Sequence, residues 1–138
     1  MSANASLISN VRDFAVKIVN ADGTGLKSLG IAPPTAGTRV KSLIVTTDET
    51  VARTLQLVKT IGGATYILGE VDIPVGAGTD GATAPIDVLN SARIKGLQTD
   101  SISKWIDVAS GDSLSLQAKV AITAGKTIYC SGEGGDFT

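Results

Sequence analysis

The feature that most restricts this chain is how often it must turn. Turn dipeptides bearing glycine recur at short intervals: Asp22-Gly23, Ala36-Gly37, Gly62-Gly63, the stretch Gly76 to Gly81, Ser110-Gly111 and Ala124-Gly125. The segments between them are short and rich in β-branched residues, whose crowded Cβ suits a pleated strand better than a helix. Short strands separated by turn signals are the pattern of an all-β sandwich or barrel. The sequence predicts strands near 13–20, 38–47, 51–61, 64–75, 102–108, 112–123 and 126–131, with a less regular one near 26–31.

Period-two alternation supports these assignments. Over 112–123, Leu114, Leu116, Ala118, Val120 and Ile122 share one face, and Ser115, Gln117 and Lys119 the other. Val51, Leu55, Leu57 and Ile61 share a face of 51–61, with Arg53 and Lys59 on the same side near a rim or interface. Over 64–75, Ile67, Val71, Ile73 and Val75 oppose Tyr66, Glu70, Asp72 and Pro74. Gly62-Gly63 can take the positive φ of a tight hairpin, and Thr123 to Lys126 and Thr47 to Thr50 also read as links between strands of opposite direction. Consecutive hairpins make the pairing antiparallel.

The rhythm breaks at 76–100. Gly76 to Ala84 reads as a flexible loop without alternation, and Pro85 to Asn90 as a short helical turn or an extended piece. A connection this long in a compact domain has a binding role or covers a core end. The expected fold is an all-β antiparallel β-sandwich, jelly-roll or Greek-key-like, with about seven or eight strands and one long crossover loop. Residues 1–12 stand apart as a polar N-terminal arm carrying apolar Leu7, Ile8 and Val11; residues 13–138 form the single domain. Such an arm frays alone or orders against a neighbour.

Composition narrows the function. A chain of 138 residues suits one core, and 43% apolar with 18% charged residues is too apolar for disorder. No apolar run approaches the roughly 18 residues of a membrane-spanning helix, so no membrane is expected as partner. A net charge of −1 does not suit phosphate binding, so no nucleic acid is expected either. With no His and one Cys, the chain cannot supply Ser-His-Asp, Cys-His, His-metal or Cys-cluster chemistry by itself. It does not read as an enzyme; no catalytic, metal or cofactor-binding residue is assigned, and no small-molecule ligand is expected. Cys130, alone and within Thr127-Ile128-Tyr129-Cys130, reads as a small buried hydrophobe. The opening MSANASLISN lacks the basic and apolar regions of a secretory signal, which points to synthesis in a cytoplasm.

Few motifs suggest chemistry. Gly76 to Gly81 lacks the Gly-Lys-Ser/Thr ending of a phosphate loop, and the Asp-Gly turns lack the ladder of a calcium loop. Glu70 and Asp72 fall on the same side of a strand about 7 Å apart, a spacing open to acid–base work or to a solvated, ion-paired face. Trp105 reads either as core-edge packing or as an interface anchor. Phe137 is a lone aromatic after a glycine run. Thr46, Thr47, Thr54, Gln56, Ser115 and Gln117 suit either an ordinary sheet surface or packing against other subunits. The candidate interface residues are Leu7, Ile8, Val11, Trp105 and Phe137.

The run Val51-Ala52-Arg53-Thr54-Leu55-Gln56-Leu57 and the stretch Ala64-Thr65-Tyr66-Ile67-Leu68-Gly69-Glu70-Val71-Asp72-Ile73-Pro74-Val75 through Thr79 carry a resemblance. With Ile86 to Asn90, Gly96 to Asp100, the hairpin from Ala109 to Lys126 and Gly134-Gly135-Asp136-Phe137, they resemble the small virion structural proteins of tailed bacteriophages. Such proteins often accompany the major capsid protein and resemble head decoration, or cement, proteins. The resemblance spans residues 13–137. It implies a protein of the capsid surface that clamps the assembled major capsid protein, commonly as a homotrimer near a local three-fold, and carries no residue-level site. Other virion components (collar, head fibre or tail tip) and a carbohydrate-binding adhesin module are the alternatives. The adhesin is disfavoured because 4% aromatics leaves little stacking surface for sugars.

Overall fold

The structure is a computed structural model and describes residues 8–100 and 103–137. These form ten strands: β1 (Ile8–Val19), β2 (Lys27–Ser28), β3 (Thr38–Thr47), β4 (Arg53–Ile61), β5 (Ala64–Ile73), β6 (Ile86–Asp87), β7 (Gln98–Thr99), β8 (Lys104–Val108), β9 (Ser113–Ala118) and β10 (Thr127–Phe137). One sheet runs β1-β10-β3-β8-β7, with β6 also on β3; the other runs β2-β9-β4-β5. Every pairing between strands is antiparallel. With two-residue β6 and β7 set aside, the first, last, third and sixth strands make one sheet and the second, seventh, fourth and fifth the other. That is the winding of a jelly roll. The expected antiparallel sandwich is the observed fold.

The two inner faces interlock. Phe14, Ile18, Val40, Leu43, Val45, Ile128 and Cys130 from the first sheet meet Leu55, Leu57, Val71, Ile73, Leu114 and Leu116 from the second, all buried. Residues 76–100 close one margin of this core. Ala77, Val88, Leu89 and Ile94 are buried, and Asp87 caps the short turn at 88–90 by accepting from Leu89 N. The segment expected as a flexible loop has a bonded course: the Asp80 carboxylate accepts from Ala82 N and Thr83 N, and Thr79 Oγ1 donates to Thr47 O.

Several expected details differ. The first strand starts at Ile8, so residues 8–12 of the expected arm pair with the far end of β10, which itself runs to Phe137. Val120 is exposed because the ladder ends at Ala118 and the chain bends before Ile122 returns to the core. Val51 precedes β4, and Ile61 borders the Gly62-Gly63 turn, so both lie outside the packed part and are about half exposed. In β5 a bulge changes the register: Leu57 faces Gly69 but Val58 faces Ile67. The extra residue, Leu68, packs against the core, and Ile67 is turned out to solvent. Gly69 at this bulge has φ +152°, and a Cβ there would collide with the Arg93 carbonyl, because residues 93–95 run against the β5 edge.

The link between β3 and β4 closes one end with a buried carboxylate. Glu49 is 1% exposed; its Oε2 accepts from Arg53 Nε at 2.6 Å and Thr123 N at 2.9 Å, and its Oε1 from Thr50 N at 3.1 Å. Arg53 Nη2 continues to Thr123 Oγ1 at 2.9 Å. Burial pushes the Glu49 carboxyl up, but the Thr123 amide and hydroxyl, the Arg53 guanidinium and the Thr50 amide outweigh it and hold it at about 2.

Candidate interaction surface

On the outer face of the larger sheet, one row of paired residues crosses four strands: Val11 on β1, Gly135 on β10, Arg39 on β3 and Asp107 on β8. Alternation sends Val40, Ile106 and Val108 into the core, so Arg39, Trp105 and Asp107 must point outward. Arg39 is then held on both sides. Its Nε and Nη2 donate to the two Asp107 oxygens at 2.8 and 3.1 Å, while Cζ sits 4.6 Å from the Trp105 ring centre and 5.1 Å from that of Phe137. The bonds to Asp107 raise the Arg39 pKa further and keep the cation charged at any working pH. The guanidinium planes two aromatic rings into one rigid patch.

Four of the five residues singled out from sequence meet on this face. Trp105 and Phe137 flank Arg39. Ile8 pairs with Phe137 and lies over Gly135, where any side chain would collide with it. Val11 is 80% exposed, the most exposed large apolar residue among those described. Leu7 lies outside the described residues. The indole Nε1 of Trp105 is buried without an acceptor among the described residues. Sequence reasoning missed Arg39. Its outward place follows from the alternation of Thr38-Arg39-Val40, but its contact with two aromatics depends on strand order.

The outer face of the smaller sheet is different. Glu70 and Asp72 do share a side there, as expected, inside an ion network. Lys119 Nζ lies 2.9 Å from Glu70, Arg93 bridges Glu70 and Asp72, Gln56 donates to Glu70, and Thr54 donates to Asp72. Lys119 and Gln56 lower the Glu70 carboxyl, and the Thr54 hydroxyl and Arg93 lower that of Asp72. A general acid needs the opposite shift. A cleft of about 340 Å³ between β6 and β8 is bordered by the polar side chains Lys41, Asp87, Asn90 and Lys104. Cys130 is buried, and burial pushes its thiol up to about 12. Among the described residues, no three His, Cys, Asp or Glu side chains gather where they could hold a metal.

Fold and surface together define a jelly-roll sandwich that presents a pinned aromatic–guanidinium patch. No protein-family model matches the chain, and no match was found among curated proteins or solved structures.

Proposed function

We propose that this chain is a structural binding protein, and specifically a decoration protein that attaches to the assembled major capsid protein lattice of a tailed phage and stabilises the head. The observation that carries the binding reading is the Arg39 cation stacked between Trp105 and Phe137, beside the exposed Val11. Trp, Arg and aromatic side chains held rigid before contact bind at low entropic cost and dominate interface energies. The virion assignment rests on the resemblance over residues 13–137. In this reading the mechanism is contact area. A protein that binds the assembled shell better than its free subunits shifts the equilibrium toward the intact particle.

The test is reconstitution. Purified protein is added to heads lacking it; copies per particle and the temperature of head disruption are measured, with wild type beside Arg39→Ala and Trp105→Ala. Many copies per head and a raised disruption temperature, both lost in the variants, are expected. A wild-type protein that leaves heads unoccupied, or fills them without changing their heat resistance, refutes the assignment.

A further inference from the structure

β1 is the outermost strand of its sheet, and among the described residues no strand pairs with its outer side. Twelve residues without a proline leave a row of N–H and C=O groups open, closed only at its end where Val19 N donates to Asp22 Oδ2, and so a template for another strand. The exposed residues along it are Ser9, Asn10, Val11, Asp13, Ala15 and Lys17. Asp13 stands directly opposite Glu133 of β10 on that face, a like-charge pair that no cation among the described residues neutralises.

We propose that β1 pairs edge to edge with β1 of a second copy of this chain, antiparallel, on a two-fold axis at Ala15. In this register Asp13 of each copy faces Lys17 of the other, Val11 faces Val19, and the two small Ala15 side chains meet on the axis. It is the single antiparallel register that sets Asp13 against Lys17. Axes one residue either way set both charges against Val or Ala, and axes at Asp13 or Lys17 set like against like. The second copy's Lys17 reaches the uncompensated Asp13–Glu133 pair and relieves it. Between Asp13 and Lys17 the two main-chain edges satisfy each other, so each larger sheet continues into its neighbour. The pairing is a property of the free chain, independent of any capsid, and its two-fold symmetry differs from the three-fold arrangement that the resemblance implies.

The experiment is sedimentation of the full chain from micromolar to millimolar concentration, with Asp13→Lys, Lys17→Asp, the double variant, and an equimolar mixture of the two single variants. Wild type is expected to approach twice the 14.0 kDa of one chain. Each single variant should weaken self-association by about tenfold or more, since two attractive contacts become repulsive. The double variant and the mixture should recover it, because both restore opposite charges across the axis. Circular dichroism and melting temperature check that the exposed substitutions leave the fold intact. A wild type that stays monomeric, a trimer indifferent to the charge changes, or a mixture that fails to recover would each overturn the pairing. None of these results depends on head binding, so failure here and failure of the decoration reading are separate outcomes.

Discussion

Replacing Glu49 by Gln tests whether the sandwich is held at one end by charge or merely by shape. The substitution keeps the size of the side chain and removes its charge. Oε2 now accepts from both Arg53 Nε and Thr123 N, and Oε1 from Thr50 N. A Gln has one acceptor oxygen and a donor amide, so one of these groups must face another donor. Arg53, its side chain 13% exposed, also loses its counter-ion. Breaking a buried pair in this way costs about 3–5 kcal/mol, and the hydrogen bonds retained by Gln place this case near the lower end. A carboxyl held at about 2 rather than 4.5 likewise corresponds to roughly 3 kcal/mol of stability.

The pH dependence separates this from ordinary packing loss. A carboxyl whose folded pKa is depressed adds stability in full above its unfolded value, and loses it as pH falls through the folded value. The gap between wild type and Glu49→Gln should therefore be about 3 kcal/mol at pH ~7, begin to shrink near 4.5, and be mostly gone near 2. Urea denaturation followed by circular dichroism across that range measures it. A gap below about 0.5 kcal/mol at neutral pH, or one that does not change between the two values, would refute the role given to this carboxylate.

Three further substitutions or measurements probe the rest of the fold. Leu116→Ala empties a fully buried site between the sheets and should cost about 2–5 kcal/mol in the same denaturation assay; a loss under about 0.5 kcal/mol would mean that β9 faces the other way. Gly69→Ala drives a methyl into the Arg93 carbonyl at a backbone angle disfavoured for other residues. It should lower stability by about 2 kcal/mol and open 91–95 to protease, and an unchanged cleavage pattern would contradict the docking of that segment on β5. Cys130, buried and with its thiol pushed to about 12, should react with a disulfide reagent at mildly alkaline pH no faster than the protein unfolds; stoichiometric labelling of the native protein within seconds would count against its burial.

What could be read from the residues follows what each feature depends on. The β3 span of 38–47 and the β4–β5 hairpin were legible because alternation and the Gly62-Gly63 turn are local signals. The last strand was legible only to 131. Gly132, Gly134 and Gly135 lie beyond the expected strand, yet β10 continues through them so close to β3 that side chains at 132 and 134 would collide with the Ser42 and Arg39 carbonyls. That constraint belongs to the neighbouring strand. The same holds for residues 8–12, which carry little apolar pattern and become strand through pairing with that glycine stretch. The Leu68 bulge reverses the expected face of Ile67 with no local mark except Gly69. Strands β6 and β7 are two residues each, too short for any period. Trp105 and Phe137 were identifiable as lone aromatics, but Arg39 between them was not, since β8, β3 and β10 become neighbours only through the winding of the jelly roll.

The two outer faces differ in what a partner would gain by covering them, and this ranks them. On the smaller sheet, Glu70, Asp72, Arg93 and Lys119 already pair with one another, and Gln117 donates to Gln56 at 2.6 Å, which donates to Glu70 at 3.0 Å. A partner there would strip water from four charges and find its neighbours' donors largely engaged, a desolvation cost with little return. On the larger sheet, the one cation in the patch is bidentate to Asp107 and already flanked by two rings, so much of its desolvation has occurred on folding. What remains to gain is the exposed surface of Val11 and the half-buried rings of Phe137 and Trp105. Apolar area of this kind is worth about 25 cal/mol per Å² removed from water. The aromatic patch centres on Trp105 of β8 and the free main chain lies at β1, so the two contacts can be separated by mutation. Trp105→Ala, on β8 and remote from the edge, should weaken face binding and leave the Asp13–Lys17 register of the edge intact, whereas Asp13→Lys should do the reverse.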